Sequence, residues 1–336
     1  MLCFSQSAAA MLFAALLAPL YSQHTASWRD PSPHTAKFVT VEKNVRLEVL
    51  DWGGSGRPVV LLAGGGNTAH VFDEFAPKLT AKCHCHVYGI TRRGFGASSF
   101  SDLENGVDRL RDDVLAVIDA LRLNRPVLVG HSIAGAELSS VGTSQPDRIA
   151  GLVYLEGAYP YAFDNGKGPT MKEFQDIKGP QPPTPGDSHL ASFSALQKWD
   201  GQVYGFRIPE AEFRQTWDST SEGQPAKACD FPGSQTLMTI MMGVKRYTDI
   251  PVPALAIFAI PHVQEAWMSK STDPAVREAA KAYFTAIDAL AEKQAKAFED
   301  GVPTARVIRL RGMHYIYLSN EPDVLREICT FLASLK

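Results

Sequence analysis

The sequence predicts an α/β fold in which helices flank a mostly parallel sheet. Two patterns lead to this class. Short, continuously apolar runs recur along the chain, which is typical of strands buried on both faces of a parallel sheet. The segments between them repeat apolar residues at helical spacing. With 336 residues, of which 45% are apolar, the chain is long enough to bury one large core.

The N-terminal residues are expected to direct export. Residues 8–20 form a mostly apolar run that is too short to span a bilayer comfortably. We therefore predict a signal peptide over residues 1–26, although no Lys or Arg precedes the run. The mature protein is then expected to be secreted or periplasmic, with no stable membrane span after processing.

Eight strands are expected in the sheet. Residues 38–42 and 45–51 alternate apolar and polar side chains and predict an antiparallel start. The continuously apolar runs that follow predict six parallel strands, at residues 58–62, 86–90, 126–130, 149–155, 252–258 and 305–310.

Three helices have clear patterns. Apolar side chains lie on one helical face in residues 107–123, 273–300 and 321–332. Either Thr272 or Asp273 can cap the second of these helices, and Asn320 is placed to cap the third.

The connection between the sixth and seventh strands is unusually long. It spans residues 160–250, roughly ninety residues, whereas ordinary connections in such folds are much shorter. The sequence therefore predicts a helical lid inserted there, and it divides the core into residues 36–159 and 251–336. The lid is rich in aromatic side chains, namely Phe193, Trp199, Tyr204, Phe206, Phe213 and Trp217.

The charge pattern favours a small-molecule partner. The formal net charge is −3, and no block of like charge stands out along the chain. A nucleic-acid partner would need a basic patch or stripe, so no nucleic acid is expected.

The cysteines leave several pairings open. Four of them follow the predicted signal peptide: Cys83, Cys85, Cys229 and Cys329. Export permits disulfides, but four cysteines allow three connectivities and the sequence does not choose among them. In a strand, Cys83 and Cys85 would face one way and His84 and His86 the other, so no metal site is predicted at this tetrapeptide.

One motif carries the chemistry. The buried strand at residues 126–130 runs into Gly130-His131-Ser132-Ile133-Ala134-Gly135, and a helix follows. A serine on such a strand-to-helix turn needs a strained backbone, for which small neighbours leave room. The N-terminus of the helix would point amides at an oxyanion formed beside the serine.

This motif resembles the nucleophile elbow of the α/β-hydrolase superfamily, with Ala134 in place of the second glycine. The resemblance extends from Val45 to the C-terminus, and it implies the eight-stranded sheet of that fold. Thr91-Arg-Arg-Gly-Phe-Gly-Ala-Ser98 resembles a turn of the superfamily that is taken as structural. By this resemblance Ser132 is the nucleophile.

The glycine-rich loop at residues 61–70 resembles the superfamily loop that supplies one oxyanion-hole amide. Ala63 stands where hydrolases often have histidine. The resemblance implies Gly65, or failing that Gly66, as one donor and Ile133 as the other.

The superfamily takes its general base from the loop after the last strand, which implies His314 in Arg311-Gly-Met-His314. His131 lies beside the serine, but adjacent residues on a tight turn point apart, so a supporting role is favoured for it.

The acid of the triad has two candidates. The usual position follows the seventh strand, where Glu265 is the nearest carboxylate. In the haloalkane dehalogenase branch the acid lies instead at the end of the sixth strand, and Tyr154-Leu-Glu156-Gly resembles that arrangement. We favour Glu156 over Glu265, with Asp273 behind, because strand ends position side chains better than loops do.

The resemblance implies a serine hydrolase that needs no metal or organic cofactor. The aromatic lid favours an apolar or aromatic carboxylic ester as substrate. The triad does not separate this activity from amide or peptide cleavage, hydrolysis of a carbon–carbon bond, or perhydrolysis. A ligand-binding protein of the same fold without turnover is the alternative from another class.

Overall fold

The computed structural model describes residues 28–101, 106–243 and 245–336. The predicted signal peptide at residues 1–26 lies outside the described residues. The chain divides by contact into residues 1–31 and 32–336, and the architecture below is that of the second unit. No helix among the described residues is long and apolar enough to cross a membrane.

Eight strands form the central sheet, and two more form a small hairpin. In chain order the strands are β1 (Thr35–Glu42), β2 (Val45–Asp51), β3 (Pro58–Leu62), β4 (His86–Ile90), β5 (Val127–His131), β6 (Gly151–Leu155), β7 (Trp217–Ser219), β8 (Pro225–Ala228), β9 (Ala254–His262) and β10 (Ala305–Gly312).

The order across the sheet is β1-β2-β4-β3-β5-β6-β9-β10. Strand β2 pairs antiparallel with β1 and β4. The remaining neighbours are parallel. The predicted eight-stranded, mostly parallel sheet is therefore confirmed.

The described α-helices are α1 (Ala76–Cys83), α2 (Val107–Ala120), α3 (Ala134–Ser144), α4 (Met171–Asp176), α5 (Phe193–Tyr204), α6 (Glu210–Thr216), α7 (Ser234–Met241), α8 (Ala266–Ser269), α9 (Pro274–Gly301), α10 (Ile316–Ser319) and α11 (Glu321–Ser334). Helices α2, α9 and α11 confirm the three predicted ones.

The two helix caps differ from each other. The side chain of Asp273 accepts a hydrogen bond from the Ala275 amide at 2.8 Å and caps α9, as one of the two predicted alternatives. The side chain of Asn320 makes no cap to α11 and donates instead to the Arg311 carbonyl oxygen at 2.9 Å. The predicted cap by the Asn320 side chain was wrong: Asn320 stands at the N-cap position, but its side chain bonds to β10 and accepts no amide of the first turn.

Both faces of the sheet are covered, which explains the continuously apolar strands. Val60 and Leu62 of β3 pack in one core cluster with residues of α2, α3 and α9. Val59 and Leu61 pack in the other cluster with residues of α1 and α11. Successive side chains of one strand thus enter opposite cores, so neither position tolerates a polar residue.

The segment between β6 and β9 contains helices α4 to α7 and the β7–β8 hairpin. The helices agree with the predicted helical content of residues 160–250, whereas the hairpin was not predicted. Its two strands have three and four residues, too few for an alternating pattern to show in the sequence.

One disulfide joins Cys83 to Cys329 and so ties the end of α1 to α11. Cys85 and Cys229 are free thiols. The assumption that residues 83–86 form a strand was wrong, because Cys83 ends α1, His84 adopts a left-handed conformation and β4 begins only at His86.

The disulfide is expected to stabilise the fold strongly, because it closes a loop of 246 residues in the unfolded chain. Replacing Cys329 by serine should lower the free energy of unfolding by about 2–5 kcal/mol. The melting temperature should then fall by roughly 5–10 °C. Cys229→Ser removes a free thiol and is the control, for which thermal unfolding should be unchanged. Equal melting temperatures for the wild type and Cys329→Ser would contradict the prediction.

Candidate active site

Ser132 lies on the turn between β5 and α3 in a strained conformation. Its φ angle is 52°, in the left-handed region that costs a residue with a side chain about 1–2 kcal/mol. The Ser132 amide donates to the Leu155 carbonyl oxygen of β6 at 3.1 Å, which holds the turn against the neighbouring strand. The strained serine predicted from the motif is therefore observed.

The glycines around this turn are required by a close approach of two backbones. A Cβ atom on Gly135 would lie 1.8 Å from the carbonyl oxygen of Gly157, just after β6. A Cβ atom on Gly157 would lie 2.9 Å from the carbonyl oxygen of Ser132. The turn after β5 and the end of β6 therefore touch through backbone atoms alone, and this contact positions Ser132 relative to Glu156.

Glu156 occupies the end of β6 in a second left-handed turn, with a φ angle of 49°. Its amide donates to the Ile257 carbonyl oxygen of β9 at 2.9 Å. The residue is 0% exposed. A glutamate that merely begins a solvated loop would be exposed, so its burial requires partners for the charge.

The structure brings Ser132, His314 and Glu156 together. His314 Nε2 lies 3.0 Å from Ser132 Oγ, and His314 Nδ1 lies 3.3 Å from Glu156 Oε2. His314 follows β10, and 48% of its side chain is exposed. Ser132 and His314 thus line a cavity, while the carboxylate of Glu156 is buried.

Hydrogen-bond donors surround the carboxylate of Glu156. The Ala259 amide donates to Oε1 at 2.5 Å, and the Tyr159 hydroxyl donates to Oε2 at 2.9 Å. Burial by itself would raise the pKa of Glu156, but its contacts with His262 and His314 outweigh burial and hold that pKa well below its ordinary value. Glu156 therefore carries its negative charge throughout the neutral range.

His131 supports the site from below. Its ring is buried, and Nε2 donates to the carbonyl oxygen of His314 at 3.0 Å. Burial, followed by the charge of His314, lowers the pKa of His131 to about 3. A neutral ring that holds the backbone of His314 fits the supporting role that we favoured for it.

The loop that carries Gly65 is held from behind by a buried arginine. Arg92 Nη2 donates to the Ala63 carbonyl oxygen at 2.8 Å and Nη1 to that of Gly64 at 3.4 Å, while Nε donates to Glu137 at 2.6 Å. Because a trans peptide points its N–H opposite to its C=O, the Gly65 amide faces away from Arg92.

The second amide, that of Ile133, begins the turn into α3. A Cβ atom on Gly65 would lie 3.8 Å from the Ile133 side chain, so the two residues are neighbours. Neither amide has a hydrogen-bond acceptor within the described parts of the chain. The arrangement leaves both free to bind an oxyanion.

A cavity of about 250 Å³ opens at Ser132 and His314. Apolar and aromatic side chains dominate its lining, among them Tyr159, Tyr161, Met171, Phe174, Met241, Tyr283, Phe284 and Ile287. Met171, Phe174 and Met241 come from the segment between β6 and β9, which therefore contributes one wall.

Glu265 lines this cavity but does not reach the base. His314 Nδ1 faces Glu156, and Oε2 of Glu265 has no hydrogen-bond partner among the described residues. Burial raises the pKa of Glu265. The structure thus places the alternative acid in the wall of the cavity, away from the triad contact.

Sequence reasoning missed His262. This residue ends β9, and its Nε2 lies 3.4 Å from Glu156 Oε2 while its Nδ1 lies 2.6 Å from Asp288 of α9. The predicted strand stopped at Phe258, four residues short of the observed end. The signal that could have found it was its position, since the end of this strand is where the resemblance places the acid.

The chain is similar to known proteins in sequence and in fold. The sequence model of a family described as "Alpha/beta hydrolase family" matches residues 59–328. The chain is 29% identical over 182 residues to a pyrethroid hydrolase of Sphingobium wenxiniae, an alignment that covers 50% of this chain and 63% of that protein. It is 32% identical over 114 residues to epoxide hydrolase A of Mycobacterium tuberculosis, covering 33% and 35% of the two chains. The matches thus span less than two thirds of each of these relatives.

Solved structures share the fold over nearly the whole chain. The crystal structure of E-2-(acetamidomethylene)succinate hydrolase covers 90% of this chain and 100% of its own with a TM-score of 0.59 at 15% identity. An esterase from Exiguobacterium antarcticum covers 89% and 100% with a TM-score of 0.56 at 18% identity.

The backbone contact between the two turns gives a direct test. Gly135→Ala should force the turn at Ser132 away from Gly157, which costs about 1–3 kcal/mol of overpacking. A displacement near 1 Å should slow the reaction of Ser132 with a fluorophosphonate by about 100-fold. A Cβ atom on Gly186 meets nothing within 4 Å, so Gly186→Ala is the control. Equal labelling rates for the two variants would show that the close approach is not needed.

Proposed function

The chain belongs to the alpha/beta hydrolase family, and from that premise we propose that it is a serine hydrolase that cleaves carboxylic esters through an acyl-enzyme on Ser132. The observation that carries the proposal is the continuous line of contacts from Ser132 Oγ through the ring of His314 to the buried carboxylate of Glu156. A binding protein without turnover would need neither the strained serine nor the buried acid.

The geometry supports a two-step reaction. His314 Nε2 takes the proton of Ser132 as Oγ attacks the ester carbonyl, and the amides of Gly65 and Ile133 bind the resulting oxyanion. His314 returns the proton to the leaving alcohol. Water then attacks the acyl-enzyme with His314 again as base, while Glu156 stabilises the imidazolium and fixes the ring through Nδ1–H.

The cavity favours an apolar or aromatic ester. No Lys or Arg lines it among the described residues, so nothing there complements a substrate phosphate or sulfate. Its apolar wall suits the acyl or alcohol part of a hydrophobic ester. The partial similarity to a protein named pyrethroid hydrolase supports the same substrate class. We also propose that residues 160–250 act as the lid over this cavity.

Export is part of the proposal. The Cys83–Cys329 disulfide supports it, because disulfides persist mainly in oxidising compartments. We propose that residues 1–26 are removed and that the mature protein is secreted or periplasmic.

Reaction with a fluorophosphonate tests the nucleophile. The wild type should form one adduct, located at Ser132 by mass spectrometry, and should hydrolyse p-nitrophenyl esters of aromatic or medium-chain acids. Ser132→Ala should lose the adduct and reduce kcat by at least about 10⁴-fold. A wild type that neither labels nor hydrolyses any ester of the panel would overturn the proposal.

Substitution of each carboxylate distinguishes the two candidates for the triad acid. In Glu156→Gln the NH₂ group replaces one carboxylate oxygen and faces a donor in either orientation: the amide of Ala259 at the Oε1 position, or the hydroxyl of Tyr159 and the ring of His314 at the Oε2 position. The value of kcat/KM should fall by about 10²–10⁴-fold. Glu265→Gln is the matched control and should keep kcat within a few-fold, whatever its effect on KM. A larger loss in Glu265→Gln than in Glu156→Gln would move the acid to Glu265.

Export can be measured on the protein made by its own host. The mature N-terminus, read by intact mass and N-terminal sequencing of the extracellular or periplasmic fraction, should lie at or near Ser27. A protein that retains Met1 in a cytoplasmic extract would refute the proposed localisation.

A further inference from the structure

His262 contacts the same carboxylate oxygen of Glu156 that faces the proposed base, His314. It is the last residue of β9, and only 7% of its side chain is exposed. Its Nε2 lies 3.4 Å from Glu156 Oε2, the oxygen that also faces His314 Nδ1 at 3.3 Å. The buried carboxylate is therefore in contact with two histidine rings. The proposed reaction uses only that of His314.

The other side of His262 is fixed by a second carboxylate. Asp288 of α9 lies with Oδ1 2.6 Å from His262 Nδ1, and the same oxygen accepts the His262 backbone amide at 2.9 Å. The ring is thus held in place from its own main chain and from a helix. The contacts run in one line from Ser132 through His314, Glu156 and His262 to Asp288.

The protonation state of His262 follows from its partners. An ionised carboxylate can only accept hydrogen bonds, and a neutral imidazole has one N–H. A neutral His262 would therefore turn a lone pair towards either Glu156 or Asp288, whereas an imidazolium donates to both. Although burial lowers the pKa of His262, the contacts with Glu156 and Asp288 outweigh burial and raise it.

We propose that His262 is a positioning residue of the triad, held as an imidazolium between Asp288 and Glu156. It fixes the orientation of the Glu156 carboxylate, and the negative charge of that carboxylate is shared between His262 and His314. This proposal rests on the serine hydrolase function proposed above. His262 has no contact with Ser132, and it acts only through Glu156.

A second cation on Glu156 weakens the attraction between that carboxylate and His314. The charged or titratable groups around His262 are Glu156 at the end of β6, Asp288 on α9, His314 after β10 and Glu265 before α8, with Tyr159 bound to the same carboxylate. A carboxylate that already pairs with His262 attracts the imidazolium of His314 less strongly.

The pH profile tests this charge. His262→Gln keeps a side-chain donor for Glu156 but removes the positive charge, so the acidic limb of kcat/KM should move to higher pH by about one unit. Asp288→Asn removes the charge that holds the imidazolium and should shift the limb in the same direction. It lies at the edge of the cluster with 27% of its side chain exposed, so it remains informative if His262→Gln folds poorly.

His86→Gln is the matched control. His86 Nε2 lies 2.7 Å from Asp51 Oδ1, and this histidine–carboxylate pair lies at the start of β4. It is therefore at the amino end of the parallel strands, whereas Ser132 and Glu156 lie at their carboxyl end. Its loss should leave the pH profile unchanged. Profiles of His262→Gln and Asp288→Asn that coincide with that of the wild type would overturn the proposal.

Nitrogen NMR of the histidine rings gives a readout that does not depend on activity. In the wild type labelled with ¹⁵N-histidine, the signals lost in His262→Gln should show both ring nitrogens protonated at pH 7. A single N–H on His262 at pH 7 would refute the imidazolium even if the enzyme is active. A wild type that shows the imidazolium but hydrolyses no ester would refute the proposed function and leave the charge state of His262 established.

Discussion

The buried carboxylate of Glu156 is the interaction on which the rest of the site depends. A fully buried glutamate is costly unless its charge is matched, and this one has donors on each side: a backbone amide of β9, the hydroxyl of Tyr159, and two histidine rings. These donors come from different parts of the sheet and its loops. The carboxylate can stay ionised only while the segments that carry these donors keep their relative positions. Because His314 is one of these donors, the same requirement fixes its position.

Two neighbouring strands are each followed by a residue in the left-handed conformation that belongs to the proposed triad. Ser132 directly follows β5 and Glu156 directly follows β6, and each bends the chain sharply at the carboxyl end of its strand. Such a conformation costs free energy at both places and persists because the surroundings determine it. The direct backbone contact between Gly135 and Gly157 holds both turns in this conformation. The strain at the nucleophile and the strain at the acid are therefore parts of one packing arrangement.

Much of this could be predicted from local patterns, and the exceptions share a cause. The apolar strands, α2, α9 and the turn at Ser132 each show in a contiguous stretch of residues, because burial on both faces or a helical stripe is a local demand. The Cys83–Cys329 bond and the contact of His262 with Glu156 join residues far apart in the chain. Their partners are chosen by the way strands and helices pack together, which one sequence does not display. Glu156 was predicted because a known branch of the superfamily places its acid there, and not because its neighbours demanded it.

The proposed acid, Glu156, follows β6, so the end of β9 is available to another residue. This explains why a histidine, His262, can occupy that position. If a carboxylate ended β9, it would meet the base directly and need no further partner. With Glu156 as the proposed acid, His262 at the end of β9 lies beside Oε2, where an apolar side chain would leave that oxygen with only Tyr159 and His314 as partners. A second acid there would repel it. An imidazolium held by Asp288 fits both the space and the sign of the charge, so the position of the acid and the identity of residue 262 are two consequences of the same electrostatic constraint.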